Sequence, residues 1–170
     1  MAQGQFLMPK TSMPGVAAVV ADSDRSFPRH MHDQFGIGLI ERGAQKSLSG
    51  RGMVEAGAGH LITVNPGEVH DGIPLGEGGR AWRMLYLDIN IVRDAIADIG
   101  EKDRGSFEFA YPVDARPLAE RFNAVFSAVT TKERPGETLD SDETLLMLLA
   151  AAMETAAKPD EIAASENIRR

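Results

Sequence analysis

Up to about Asp88 the chain is a series of short apolar segments, at residues 16–21, 35–40, 61–64 and 81–89, separated by turn-forming clusters. The clusters are Ser49, Gly50, Arg51, Gly52; Gly57, Ala58, Gly59; Asn65, Pro66, Gly67; and Gly76, Glu77, Gly78, Gly79. Closely spaced apolar runs with Gly, Pro and Asn between them predict antiparallel strands arranged as a barrel or sandwich. After Asp88 the period changes. Ile89, Val92, Ile96 and Ile99 recur at three and four residues and Gly100 follows, which predicts a short helix with a glycine stop. Leu118, Phe122, Val125, Phe126 and Val129 predict a second helix, with Asp114 near its start and Pro117 in its first turn. Asp140 and Glu143 have the spacing of a capping box for a third, which is apolar on more than one face from Leu145 to Met153. Such a helix either lies wholly inside its own domain or covers a second surface. Leu145, Leu149 and Met153 are then the candidates for contact with the same helix of a second subunit.

Composition narrows the picture. A chain of 170 residues that is 43% hydrophobic makes one domain with a core and is short for two. The absence of cysteine removes disulfides, thiolate ligands and thiol nucleophiles, and fits a cytoplasmic protein. No apolar run is long enough to span a membrane. The first 15 residues hold a lysine, three methionines and two prolines without a continuous apolar stretch, and read as an arm rather than a signal peptide. A net charge of −7 with scattered Lys and Arg predicts that these residues alone bind DNA poorly.

The candidate chemistry lies in histidines. Of the four, His30 and His32 are two apart and His70 ends the run Pro66, Gly67, Glu68, Val69, His70, while His60 sits beside the Gly59 turn and is expected at the surface. Residues two apart on a strand share a face, so His30 and His32 would point together, with His70 opposite on another strand. Three outcomes stay open: turn and rim hydrogen bonding, direct contact with a small molecule, or ligation of a divalent metal such as zinc, nickel, copper or iron.

These residues resemble the two cupin motifs. His30, His32 and Gly43 fit the first, whose acidic position is occupied here by Gly36; Gly59, Gly67 and His70 fit the second, with Pro66 one place late. Glu41 has the wrong strand parity to replace the missing carboxylate unless a bulge intervenes. A closer resemblance, over roughly residues 25–90, is to the sensor domain of the arabinose-regulator (AraC) family of bacterial transcription regulators. It rests on His30, Met31, His32, Asp33, then Phe35, then Glu41, Arg42, Gly43, then the Val64 to His70 run, then Met84, Leu85, Tyr86, Leu87, in that order and spacing.

That resemblance implies a mainly β fold, a cupin-like jelly-roll barrel followed by C-terminal helices that pack on it and dimerise. It divides the chain into an arm (1–15), a barrel core (16–90), a helical dimerisation region (91–157) and the start of a linker (158–170) to a helix-turn-helix DNA-binding domain. It implies a small-molecule effector in the barrel, contacted by His30, His32, Arg42, His70 and the Trp82, Met84, Tyr86 face of one strand, although that face equally suits an ordinary core. Parity turns Gln34, Gly36, Gly38, Ile40 and Arg42 inward with His32, the glycines leaving room, and turns Phe35, Ile37 and Leu39 toward covering helices. The expected function is effector sensing with no catalysis and no required cofactor, as a homodimer that meets DNA only through the further domain. The alternative is a metal-dependent cupin enzyme, a dioxygenase or isomerase, with His30, His32 and His70 as ligands.

Overall fold

The structure is a computed structural model that describes residues 4–100, 107–109, 116–131 and 138–156. Nine strands precede three helices among these residues: β1 (Gln5–Leu7), β2 (Val16–Ser23), β3 (Phe27–His30), β4 (Phe35–Arg42), β5 (Ala44–Ser49), β6 (Gly52–Gly57), β7 (Leu61–Val64), β8 (His70–Leu75), β9 (Arg80–Leu87), α1 (Ile89–Ile99), α2 (Arg116–Thr130) and α3 (Thr138–Ala156). The strands form two antiparallel sheets, ordered β1-β2-β9-β4-β7 and β3-β8-β5-β6. The expected mainly β architecture, with helices after the strands, is the one observed.

In the five-stranded sheet β2, β9, β4 and β7 are covered on both faces, which is why they read as apolar runs, while β1 at its edge is exposed. Phe35, Ile37 and Leu39 of β4 join Leu85 and Leu87 of β9 in one buried cluster with Val92, Phe122, Val125, Leu148 and Leu149 of the helices. The opposite face sends Ile40, Val64, Trp82 and Met84 toward the second sheet. Every side chain of β9 therefore has work on one face or the other, and the parity expected for β4 and β9 holds as far as Ile40.

Beyond Ile40 it breaks. Ile40 pairs with Trp82 but Arg42 pairs with Ala81, so Glu41 is the extra residue of a β-bulge. The bulge reverses Arg42 relative to the pocket. Asp22 of β2 also pairs with Ala81, and Arg42 reaches across that row to ion-pair with Asp22 at 2.5 Å while donating to the Gly78 carbonyl at 2.8 Å. The expectation that Arg42 faces an effector is thus corrected: it is an exposed strand-end residue. Gly43, immediately after the bulge, has φ +74°, and Gly67 in the turn before His70 has the same value, so both motif glycines hold left-handed backbone that other residues avoid.

Gly36 and Gly38 also need correcting. They do not leave open room. A methyl group on Gly38 would overlap the Met84 sulfur and the Arg83 carbonyl oxygen, and one on Gly36 would press on the Met84 methyl at 3.0 Å. The missing side chains let Met84 lie across β4. Gly38→Ala is accordingly expected to lower stability by about 2 kcal/mol, more than Gly36→Ala, because a flexible thioether end yields where a backbone carbonyl does not; equal denaturation midpoints for the two variants would contradict this packing.

Asp88 precedes α1, and Gly100 closes it in the left-handed conformation, as expected. The α3 helix begins at Thr138, two residues before Asp140, and Asp114 lies outside the described residues. Leu145 and Leu149 are buried at 4% and 0% exposure in the chain's own core, and Met153 packs against it. They are therefore not an outward dimerisation face; among the described residues of α3 the exposed large apolar side chain is Met147, at 48%. The arm is also more ordered than expected. β1 pairs with β2, the Ser12 amide donates to the Val129 carbonyl of α2 at 2.8 Å, and Met13 is buried in the helix-side cluster. No helix among the described residues is long and apolar enough to cross a membrane.

Candidate functional site

The two sheets enclose a cavity of about 290 Å³. Trp82, Met84 and Tyr86 form its floor from alternate positions of β9, Val19 and Ile62 flank them, and Phe6 of β1 overhangs it. Phe6, Phe27 and Trp82 meet edge to face in a trio with centroids 5.9–6.0 Å apart, an arrangement favoured by the aromatic quadrupole. A mostly apolar enclosure with a few convergent polar groups is what small-molecule sites have in common.

One set of polar groups is the histidines. His30 and His70 are paired across β3 and β8, and His32 follows two residues after His30, so three rings converge with centroids 4.5–5.4 Å apart. Tyr86 packs on His32 at 4.8 Å. His30 Nδ1 lies 2.7 Å from the Pro28 carbonyl and His70 Nδ1 lies 3.0 Å from the Glu68 carbonyl. A carbonyl only accepts, so in both rings Nδ1 carries the proton and the neutral ring keeps its lone pair on Nε2. The Nδ1 bond to the backbone fixes each ring in the manner of a ligand's outer contact. His60 is elsewhere, accepting from the Gly57 amide at 3.3 Å.

One nitrogen from each of His30, His32 and His70 lies within 4.8 Å of the others. Nitrogens about 2.0–2.1 Å from a tetrahedral ion stand ~3.4 Å apart, so the rings need a modest contraction. The residues fit a three-imidazole face and lack the carboxylate of a full cupin set, because Gly36 occupies that position and Glu68 is committed to Arg51.

Burial, and next the nearby His30 and His70, push the His32 pKa below its ordinary 6.5, with Asp33 opposing. The unfolded chain therefore takes up this proton first as pH falls, so stability is intact above about pH 6.5 and declines below it toward the folded pKa. Chelator-treated protein is expected to lose stability from about pH 7 to pH 5 more steeply than His32→Gln; parallel profiles would contradict the assignment.

Two further features escaped the sequence analysis. Glu68 and Arg51 form a two-pronged ion pair in the cavity wall, with both N–O distances 2.8 Å. Burial opposes the Glu68 charge, but hydrogen bonds from Arg51, Ser49 and the Asn65 amide, together with the Arg51 charge, outweigh it and lower its pKa. The second is Arg80, 1% exposed, at the start of β9 on the same face as Trp82. It donates to Gln45 Oε1 at 2.7 Å and to the Arg25 and Gly72 carbonyls at 3.0 and 3.4 Å. Its guanidinium carbon stands 4.6 Å from the Trp82 ring centroid and 5.3 Å from that of Phe27. Period-two parity was the available signal, since Arg80, Trp82, Met84 and Tyr86 are evenly spaced.

Of the residues expected to contact an effector, His30, His32, His70, Trp82, Met84 and Tyr86 line the cavity and Arg42 does not. A model of the AraC-like ligand binding domain matches residues 14–149. The chain belongs to that family. No curated protein sequence matches it. Among solved structures it is similar to oxalate decarboxylase of Bacillus subtilis, at 15% identity and TM-score 0.41 over 51% of this chain and 28% of that one. It is similar also to a cupin superfamily protein of Desulfitobacterium hafniense (12%, TM-score 0.45, 51% and 78%) and a cupin-2 domain protein of Shewanella frigidimarina (14%, TM-score 0.41, 49% and 82%). The chain thus spans under a third of the length of the decarboxylase it matches.

Proposed function

We propose that this AraC-like ligand binding domain is the effector-sensing and dimerisation part of a cytoplasmic transcription regulator. A small molecule enters between the sheets, contacts the floor formed by Trp82, Met84 and Tyr86, and changes the relative stability of arrangements of β1 and the helices. DNA contact belongs to a helix-turn-helix domain outside these residues, and no bond is made or broken in the sensor. The observation that carries the reading is the cavity between the two sheets of a chain whose family binds ligands. A second copy would pack on the outward face of α3 at Met147.

A divalent ion is not required. If held, it would sit on His30, His32 and His70, and it would supply a fixed positive charge for an effector oxygen. The enzyme reading draws on the same cluster, and metal content distinguishes the two. Stoichiometric metal with turnover that His32→Ala abolishes would favour the enzyme.

The sensor is tested by thermal shift over sugars, amino acids and small aromatic compounds, together with the gene sequence beyond Arg170. Expected are a compound that raises the melting temperature by mass action and a coding segment for a helix-turn-helix. A stop codon directly after Arg170 would contradict the regulator, and a cavity that binds nothing would contradict the sensor.

A further inference from the structure

We infer that the effector is a small monocarboxylate with an aromatic or otherwise apolar body, and that Arg80 is its counter-ion; the inference rests on the cavity being an effector site.

Arg80 is the starting point because its environment is incomplete. A guanidinium is always charged and has five N–H donors in a fixed fork. Here it is 1% exposed, yet all its hydrogen-bond partners are neutral oxygens, those of Gln45, Arg25 and Gly72. No carboxylate lies within ion-pair distance of it among the described residues. Burial of a cation is costly unless an anion accompanies it. Stacking on Trp82 and Phe27 offsets part of that cost, and two of its five N–H donors have no partner among the described residues.

The other guanidinium and carboxylate groups of the cavity wall are either paired or turned away from it. Arg51 is paired with Glu68 on two prongs. Asp71 has the opposite parity to His70 on β8, and its carboxylate accepts from the Leu48 amide at 2.7 Å. Among the described residues the guanidinium and carboxylate groups of the wall thus leave one cation, Arg80, without a counter-ion, which suits one negative charge on the ligand rather than the two of a phosphate monoester. The planar fork of Arg80 matches a carboxylate in two-pronged geometry.

The remaining surface describes the body of the ligand. From Arg80 the floor continues through Trp82 and Met84, under Phe6 and Phe27, toward Tyr86 and the histidines. The floor is aromatic and thioether, which suits an apolar body, while Ser47, Ser49 and Thr63 add hydroxyls to the wall. A cavity of about 290 Å³ holds a one- or two-ring acid.

The test compares aromatic and short aliphatic monocarboxylates, benzoate, phenylacetate, naphthoate and octanoate, with their uncharged primary amides, by calorimetry and Trp82 fluorescence on the unmodified protein. At least one acid is expected to bind about tenfold or more tighter than its amide, and Arg80→Gln is expected to bring that ratio near one. If Arg80→Gln does not fold, the acid-to-amide ratio on the unmodified chain decides. Equal binding of acids and amides, or binding of neutral sugars alone with a Trp82 response, would overturn the carboxylate and leave the effector site standing. Failure of acids, amides and sugars alike to bind would overturn both.

Discussion

Phe122→Ala is expected to lower folding stability by about 3–5 kcal/mol, the range for emptying a fully buried aromatic position. Phe122 is 0% exposed on the face of α2 that meets the five-stranded sheet. Its ring packs on Phe126 at 5.8 Å, and the Arg83 guanidinium, which also bonds Asn123 at 2.6 Å, lies over both rings. Removal of the ring would open a cavity between helices and sheet and loosen the seat of Arg83. Phe122→Leu should recover much of the loss in equilibrium denaturation. A cost under about 1 kcal/mol would mean that the helices are not part of one cooperative core with the sheets.

Arg51→Ala comes next, at about 3 kcal/mol, toward the low end for breaking a buried ion pair because these side chains keep 24% and 12% exposure. Arg51 does more than neutralise Glu68. Its Nη1 donates to the Phe109 carbonyl at 2.6 Å, while the Asn65 side chain accepts from the Phe109 amide at 2.7 Å and donates to the same carbonyl at 3.2 Å. The wall of the cavity is thereby tied to the segment at 107–109, whose Phe107 and Phe109 pack on Phe35. In Arg51→Ala the Glu68 charge loses its partner, so part of the cost belongs to Glu68. A double-mutant cycle with Glu68→Gln should accordingly show coupling of about 1–3 kcal/mol, and the Phe109 amide should exchange faster in Arg51→Ala alone. Additive effects would contradict a shared network.

The sequence exposed β2, β4, β7 and β9 of the five-stranded sheet and hid β1 and the second sheet. Residues 61–64 coincide with β7, and β2, β4 and β9 fall within two residues of the apolar runs at either end. Buried on both faces, these strands have no need of polar residues. The β3, β5, β6 and β8 strands of the second sheet face the cavity on one side and solvent on the other, and a stretch such as Ala44–Ser49 (AQKSLS) has no apolar run to reveal it. The same limit applied to the site. The three histidines and the Trp82 face were legible as motif and parity, but Arg42 was misplaced because a single bulged residue, Glu41, reverses all that follows it. Arg80 was passed over because a charged residue after a glycine-rich turn looks like a solvated strand end. Its burial comes from Phe27, Trp82 and Gln45, which only the fold brings together. Leu145 and Leu149 show the converse. An apolar helix face does not say whether its partner is the same chain or another copy, and here the partners are α2 and α1 of the same chain.

Trp82 is the chain's only tryptophan and lies on the cavity floor, so its emission reports directly on what occupies that space. The decisive measurement is a titration of Trp82 fluorescence with any compound that stabilises the protein. The account predicts a saturable one-to-one change whose Kd agrees with calorimetry, and a weakening of about tenfold or more in Trp82→Ala. A compound that binds by calorimetry while leaving both the emission and the Trp82→Ala affinity unchanged would contradict it.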